Sequence, residues 1–309
     1  MSARNSYQPK GSSVELGLVG LGKMGGNMRE RLRHAGHIVV GYDRNREISD
    51  TDSLADMVAQ LPESPRVVWI MVPAGEATHT VVTQLSNLLS SGDIVIEGGN
   101  SRFTDDAIRA RQLDAAGIGY LDVGVSGGLW GLENGYAVMV GGDADHVMVV
   151  QPIFDALCPP GGGFVHAGPV GAGHFAKMVH NGIEYGLMQA YAEGYELLAA
   201  SELVTDVPGV LDSWREGTVV RSWLLDLLVK ALAEDPALDE ISGYVNDSGE
   251  GRWTVEEAIN HAVPTPVIAA ALFARFGSRQ VDSPAMKAVA ALRHQFGGHA
   301  VTANSGTER

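Results

Sequence analysis

The sequence contains one cysteine, Cys158, and few basic residues for its length. A single thiol excludes a disulfide framework and a thiolate metal cluster, and it is typical of a reducing compartment, so we expect a cytoplasmic location. The 22 Lys and Arg against 37 Asp and Glu give a formal charge of −15, which disfavours nucleic acid and anionic membranes as partners. No run of about 18 or more apolar residues occurs, so no membrane-spanning helix is predicted.

The remaining composition is that of a globular chain. Hydrophobic residues make up 45% and charged residues 19% of the 309 positions, enough for a sizeable core in two domains or one large one. Residues 1–13 carry Arg4, Lys10 and polar side chains without an apolar centre. This stretch does not resemble a signal peptide, and we interpret it as a flexible tail.

From Val14 onward, short apolar runs alternate with segments of helical periodicity. The predicted strands are Glu15–Val19, Ile38–Tyr42, Arg66–Val72, Asp93–Glu97, Tyr120–Val123, Ala137–Val140 and Val165–Ala167. Helices are expected between them, among others Met24–Ala35, Ala77–Leu89 and Thr104–Ala116. This alternation predicts an α/β domain with a mostly parallel sheet.

The pattern changes to long helical segments after Gly173. The predicted helices are Gly173–Ala200, Leu203–Trp214, Val219–Ala233, Thr254–Gly277 and Ser283–Phe296. We therefore expect an all-α domain over residues 173–309, which provides substrate binding and dimerisation, after an α/β domain over residues 14–172.

A glycine motif, Gly20-Leu-Gly22-Lys-Met-Gly25, directly follows the first predicted strand. In such a G-x-G-x-x-G segment the glycines allow a tight turn, approach of the backbone to a pyrophosphate, and close packing of the following helix. Asp43 ends the second predicted strand, where a carboxylate binds ribose hydroxyls and repels a 2′-phosphate. We predict a Rossmann-type dinucleotide-binding domain with NAD as cofactor. The neighbouring Arg44 keeps NADP open as the alternative.

Three further loops follow predicted strands, at the sheet edge where doubly wound folds bind ligands. They are Met71–Gly75, Glu97–Ser101 and Asp122–Gly128. Backbone amides and side chains of the last two loops are suited to holding a substrate. The predicted cofactor-binding residues are Gly20, Leu21, Gly22, Lys23, Met24, Gly25, Asp43, Arg44, Val72, Pro73, Ala74 and Asn100.

The predicted helix Gly173–Ala200 carries an unusual polar stripe. One face of this helix carries four polar residues at helical spacing, Lys177, His180, Asn181 and Glu184, and Tyr185 follows them. The flanking residues Phe175, Ala176, Met178, Val179, Ile183 and Leu187 are expected to be mostly buried. A base and an acid on such a helix indicate a reaction centre; the alternative is a solvated stripe. His174, His146 and His79 lack this context, and we expect structural roles for them.

These segments together resemble the decarboxylating 6-phosphogluconate dehydrogenases, in particular the short bacterial, usually NAD-dependent branch. The segments that carry the resemblance are Gly20–Met28, Gly98–Ser101, Val125–Gly131 and Lys177–Tyr185. The resemblance extends from Glu15 to Val301, and its most specific part is the Lys177–Tyr185 run.

The resemblance implies oxidation of 6-phosphogluconate at C3 by NAD, followed by loss of CO₂ to give ribulose 5-phosphate, a step of the pentose phosphate pathway. It implies that Lys177 is the general base and Glu184 the general acid. The implied substrate contacts are Asn100, Ser126, Gly127, Gly128, His180, Asn181, Tyr185, Arg275, Arg293 and His299. The last two would reach the active site of a partner subunit, so we expect a homo-oligomer, either a dimer or a dimer of dimers.

No carboxylate or histidine cluster has metal-ligand spacing, so no metal is expected.

The chain departs from the resemblance at two positions. Ser248 and Glu250 stand where longer family members have a lysine and a threonine that contact the phosphate. A carboxylate there would repel phosphate, which leaves Arg252 or another group to compensate.

Two other functions stay open. A 3-hydroxyacid dehydrogenase without decarboxylation would share the cofactor domain and Lys177, but simple oxidation needs no second proton donor such as Glu184. A non-catalytic dinucleotide sensor would need neither of these side chains.

Overall fold

The computed structural model describes residues 13–62 and 64–302. The chain divides into two compact units, Met1–Asn181 and Gly182–Arg309. The division falls inside the longest helix, whereas the boundary predicted from the sequence pattern lies at residue 173 and stays a prediction. The predicted tail, residues 1–13, lies outside the described residues except for Ser13.

The first unit is built on a seven-stranded sheet in the order β2-β1-β3-β4-β5-β6-β7. The strands are β1 Glu15–Val19, β2 Ile38–Tyr42, β3 Val67–Ile70, β4 Ile94–Glu97, β5 Gly119–Ser126, β6 Ala137–Gly142 and β7 Phe164–Gly168. Neighbouring strands are parallel except β5 and β6, which are antiparallel. The predicted α/β fold with a mostly parallel sheet is confirmed.

Alternate strand residues enter two apolar layers, one on each face of the sheet. In β3, Trp69 packs in one layer, while Val68 and Ile70 pack in the other. The helices that cover the sheet are α1 Lys23–His34, α2 Leu54–Ala59, α3 Glu76–Leu88, α4 Phe103–Asp114, α5 Gly131–Asn134 and α6 Ala144–Leu157. Burial on both faces explains why these strands are continuous apolar runs in the sequence.

Strand β5 is longer than the predicted Tyr120–Val123. It runs to Ser126 because its second half pairs with β6 as far as Ser126 opposite Ala137. The prediction that the glycine-rich turn starts at Asp122 is therefore wrong, because residues 122–126 belong to the strand. The turn begins at Gly127, whose φ of +139° favours glycine.

The described helices after the sheet are α7 Ala172–Ala199, α8 Val207–Ser213, α9 Trp223–Glu234, α10 Glu250–Asn260, α11 Pro266–Ser278 and α12 Pro284–Gly297. The prediction of one helix over Thr254–Gly277 was wrong. The chain leaves α10 through Ala262, with φ +53°, and α11 starts at Pro266. Proline suits the first turn of a helix but not its interior. None of the described helices has the length and apolar character needed to cross a membrane.

Candidate active site

The loop between β1 and α1 has the backbone that a dinucleotide requires. Gly20 has φ +92°, and a Cβ at Gly25 would overlap the carbonyl oxygen of Gly20. A Cβ at Gly22 would meet nothing within 4 Å, so there is open space beside the start of α1. No side chain caps that helix, which leaves its first-turn amides available for an anion. These residues fit the pyrophosphate of a dinucleotide.

Asp43 lies beside this loop, at the end of β2. Its Oδ2 accepts a hydrogen bond from the backbone N–H of Leu21 at 2.7 Å, and its Oδ1 accepts one from Asn45 at 2.8 Å. An ionised carboxylate has further lone pairs, so it can also accept from ribose hydroxyls. Arg44, the residue that favours the NADP alternative, is exposed.

The loops that follow β3 and β4 lie next to each other. The backbone N–H of Gly98 donates to the carbonyl oxygen of Ile70 at 2.9 Å. A Cβ at Gly99 would lie 2.8 Å from the carbonyl oxygen of Val72. The loop with Val72, Pro73 and Ala74 therefore adjoins the loop with Asn100, which is exposed.

Helix α7 packs very closely on the sheet through glycines. A Cβ at Gly173 would lie 2.5 Å from the carbonyl oxygen of Asp122. A Cβ at Gly124 of β5 would overlap the Cβ of Lys177. The absence of side chains at these two glycines thus allows Lys177 to lie directly against β5.

Four of the predicted substrate and catalytic residues form one chain of polar contacts. The Nζ of Lys177 lies 3.5 Å from Nδ1 of His180, which lies 3.0 Å from Oδ1 of Asn181. The other ring nitrogen of His180 lies 3.4 Å from the hydroxyl of Ser126. Gly127 and Gly128 directly follow that serine, so the predicted lysine, histidine, amide and hydroxyl are brought together.

A buried ionic cluster joins β4, α4, β5 and α7. The Nδ1 of His174 lies 2.8 Å from Oδ2 of Asp106, and its Nε2 lies 3.8 Å from Oε2 of Glu97. Burial on its own lowers the pKa of His174, but the surrounding carboxylates raise it to about 9. A pKa raised in this way favours the protonated ring at neutral pH. Asp122 accepts from the backbone N–H groups of Gly171 and His174 at 2.7 and 2.9 Å.

The sequence did not indicate this cluster, because its members are 52 and 68 residues apart along the chain. Glu97, Asp106 and His174 also bring possible metal-ligand atoms within 4.8 Å of one another. However, the guanidinium of Arg109 lies 3.3 Å from Glu97 and 3.5 Å from Asp106. With Arg109 and an imidazolium already present, a metal ion would be repelled. The donor set fits an ionic cluster and not a metal centre.

In the second unit, Tyr185 and Arg275 form a cation–π pair. The guanidinium carbon of Arg275 lies 3.4 Å from the centre of the Tyr185 ring, and its Nη1 donates to the carbonyl oxygen of Asn246 at 3.2 Å. The backbone N–H of Ser248 donates to the Tyr185 hydroxyl at 3.3 Å. Glu184, half-buried, precedes this tyrosine on α7.

Asp247 pairs with two arginines of the same unit. Nε of Arg252 lies 2.8 Å from the carboxylate, and Nη2 of Arg279 lies 2.5 Å from it. The hydrogen bond from Arg252, with a smaller effect of Arg279, holds the pKa of Asp247 well below its usual value. Arg252, the expected substitute for a phosphate ligand, is therefore already paired. Glu250 is buried at the start of α10.

Helix α12 has little to pack against. All its described side chains are exposed, including Met286 at 62% and Leu292 at 64%. Arg293 lies on this helix and His299 just beyond it, and both are exposed. The helix ends at Gly297 and is followed by Gly298 at φ +62°, a left-handed conformation that favours glycine.

The apolar flank of α7 is also less buried than expected. Met178 is buried, but Ile183 is 52% and Leu187 44% exposed. The prediction of a largely buried flank was therefore wrong at these two positions. Both residues follow Asn181, the last residue of the first compact unit.

A glycine loop suited to a dinucleotide on a mostly parallel sheet, a lysine on a long helix packed against β5, and a helical second unit are typical of nicotinamide-dependent oxidoreductases. Residues 15–166 match the NAD binding domain of 6-phosphogluconate dehydrogenase, and residues 173–305 match the 6-phosphogluconate dehydrogenase C-terminal domain. The chain belongs to the 6-phosphogluconate dehydrogenase family, as the sequence resemblance implied.

Individual relatives agree with this assignment. The chain is 44% identical to the Bacillus subtilis protein YqeC over 296 residues, 93% of this chain and 99% of that protein. It is 41% identical over 298 residues to the NAD(+)-dependent, decarboxylating 6-phosphogluconate dehydrogenase of Haloferax volcanii, with 93% and 98% covered. The structure of Plasmodium falciparum 6-phosphogluconate dehydrogenase superposes with a TM-score of 0.79 at 27% identity, covering 95% of this chain and 67% of that one.

Proposed function

We propose that this chain catalyses the NAD-dependent oxidative decarboxylation of 6-phosphogluconate to ribulose 5-phosphate and CO₂. The observation that carries the proposal is the chain of contacts from Lys177 through His180 to Ser126 and Asn181. It supports the proposal because a lysine, a hydroxyl and an amide lie within 3.5 Å of the same imidazole, in the unit that also contains the glycine loop.

Lys177 removes the proton of the C3 hydroxyl and, as an ammonium, then polarises the new C3 carbonyl while the carboxyl group leaves as CO₂. Bound NAD supplies the hydride acceptor for this oxidation. Glu184 lies seven residues further along α7, two turns on the same helix face. It protonates the carbon that becomes C1 of ribulose 5-phosphate. Because simple oxidation needs no such acid, Glu184 supports decarboxylation over the 3-hydroxyacid alternative.

NAD is the proposed cofactor in preference to NADP. The carboxylate of Asp43 is fixed beside the glycine loop by its bonds to Leu21 and Asn45. A 2′-phosphate at that ribose would meet a fixed negative charge. The single buried thiol, Cys158, and a sugar-phosphate substrate fit a cytoplasmic enzyme.

A homodimer is the proposed assembly. Exposed apolar residues of α12, such as Met286 and Leu292, suit a partner helix. Arg293 and His299 lie at the end of this surface, and the proposed role of both is to complete the site of the partner subunit.

The test is to measure NADH formation from 6-phosphogluconate, with NADP in parallel and a 3-hydroxyacid such as 3-hydroxyisobutyrate as the competing substrate. The proposal predicts turnover with 6-phosphogluconate and a higher kcat/KM with NAD. Turnover of the hydroxyacid without that of 6-phosphogluconate would contradict it.

A further inference from the structure

The ionic cluster around His174 contacts the backbone of two segments that carry proposed site residues. Two of its carboxylates hold backbone amides of functional segments. Glu97 accepts from the N–H of Gly99, one residue before Asn100, at 2.7 Å. Asp122 accepts from the N–H groups of Gly171 and His174, at the start of α7.

The side chain of His174 connects these two anchors. Its backbone belongs to α7, while its ring lies against Asp106 and Glu97. Lys177 is three residues further on, about 4.5 Å along the helix axis. The histidine ring is thus one helical turn away from Lys177, and Glu97 alone separates it from the loop of Asn100.

We propose that His174 is a positioning residue, whose ring, lying against Asp106 and Glu97, fixes the first turn of α7, and with it Lys177, relative to the Gly98–Ser101 loop. This role rests on the proposed function of Lys177 and Asn100.

The charges around the ring support a cationic form. Glu97 comes from β4, Asp106 and Arg109 from α4, and Tyr120 and Asp122 from β5; all five are buried. Tyr120 donates its hydroxyl proton to Asp106 at 2.8 Å, and burial, followed by the nearby carboxylates, raises its pKa well above the usual value, so it stays neutral. Arg109 balances one of the three carboxylates. A neutral residue at position 174 leaves two buried negative charges in excess, which favours rearrangement of Glu97 and release of Gly99.

Asp93 provides a matched control at the opposite end of β4. It is also fully buried and accepts from the backbone and side chain of Arg66, both at 2.8 Å. The substitution Asp93→Asn weakens a buried ion pair of the same unit without touching α7 or the Asn100 loop.

The experiment compares the full-length protein with its His174→Leu, His174→Gln and Asp93→Asn variants at a temperature where all are folded. We expect His174→Leu to lower kcat by about 10²-fold, the effect of a misplacement of roughly 1 Å, with little change in the calorimetric affinity for NAD. His174→Gln, which keeps a neutral donor, should lose less, and Asp93→Asn should keep the wild-type kcat. If His174→Leu does not fold, Asp106→Asn replaces it, because the backbone anchors on Asp122 stay intact.

Amide hydrogen exchange gives a second measurement that does not depend on turnover. In the His174 variants, residues 98–101 and 171–177 should lose protection together, whereas Asp93→Asn should leave both segments unchanged. Loss of kcat no greater than in Asp93→Asn, or unchanged exchange in these segments, would overturn the inference. If the wild-type enzyme does not convert 6-phosphogluconate, the proposed function fails, and the exchange data alone then decide on the coupling.

Discussion

The carboxylate of Asp43 accepts a hydrogen bond from the backbone N–H of Leu21, 2.7 Å away. One residue therefore both holds the glycine loop and presents negative charge at the position expected for the ribose. These two effects can be separated by substitution.

We expect Asp43→Asn to keep the loop in place, because an amide oxygen can still accept from Leu21. Without the negative charge, its preference for NAD over NADP should narrow. Asp43→Ala loses both effects and should bind NAD more weakly than Asp43→Asn. The measurement is kcat/KM with each cofactor; equal or better use of NADP by the wild-type enzyme would contradict the role of Asp43.

Substitutions of Lys177 and Glu184 should slow different steps of the reaction. Lys177→Ala should lose hydride transfer by at least about 10²-fold, as expected for removal of a general base. Glu184→Gln should slow protonation of the product carbon and leave the first oxidation less affected. Rapid mixing with substrate and NAD distinguishes them, since only Glu184→Gln should give a burst of NADH. Normal steady-state turnover by Glu184→Gln would rule out its role as the acid.

The close approach of α7 to β5 makes Gly124 sensitive to any side chain. Gly124→Ala places a Cβ against that of Lys177, so we expect kcat to fall by more than the loss of stability explains. Gly119→Ala is the control on the same strand, because the nearest neighbour of its Cβ would be the ring of His146, 2.6 Å away, and not Lys177. Each overpacked alanine should cost about 1–3 kcal/mol of unfolding free energy. Equal effects on kcat would argue against a requirement for close packing at Lys177.

The raised pKa of His174 predicts a pH-dependent stability. The folded protein binds this proton more tightly than the unfolded chain, in which the pKa is about 6.5. The stabilisation is therefore fully present below pH 6.5 and is lost as the pH rises through about 9. Between these values the unfolding free energy should fall by at most roughly 1.4 kcal/mol per pH unit.

Urea denaturation across this pH range tests the effect. His174→Gln should have a flatter profile than the wild type, whereas Asp93→Asn should be less stable but keep the wild-type slope. Identical slopes for wild type and His174→Gln would show that the ring does not carry the extra proton.

The proposed sharing of the active site can be tested by complementation. Lys177→Ala and His299→Ala homodimers should each be nearly inactive. A mixed dimer would have one site with both defects and one with neither, so its activity should recover to about half of wild type. Differently tagged variants, unfolded and refolded together, report mixing. Mixing without recovery would mean that His299 acts within its own subunit or not at all.

Local patterns in the sequence were sufficient to predict the sheet, the glycine loop and the polar stripe of α7. Buried parallel strands produce apolar runs, and helical spacing alone puts Lys177 and Glu184 on one face. The extension of β5 to Ser126 depends on pairing with β6, which no local pattern encodes.

The cluster around His174 could not be predicted for the same reason, since its partners come from distant elements. The break between α10 and α11 is different, because Pro264 and Pro266 were visible in the sequence. Proline does not suit the interior of a helix, so these two residues exclude a continuous helix over Thr254–Gly277.

In the proposed mechanism, both oxidation at C3 and loss of the carboxyl group depend on Lys177. The most direct measurement is the ratio of CO₂ to NADH formed from 6-phosphogluconate labelled at C1, with Lys177→Ala as the inactive control. We expect equal amounts of both products from the wild-type enzyme and neither from the variant. NADH without CO₂, or undiminished turnover by Lys177→Ala, would contradict it.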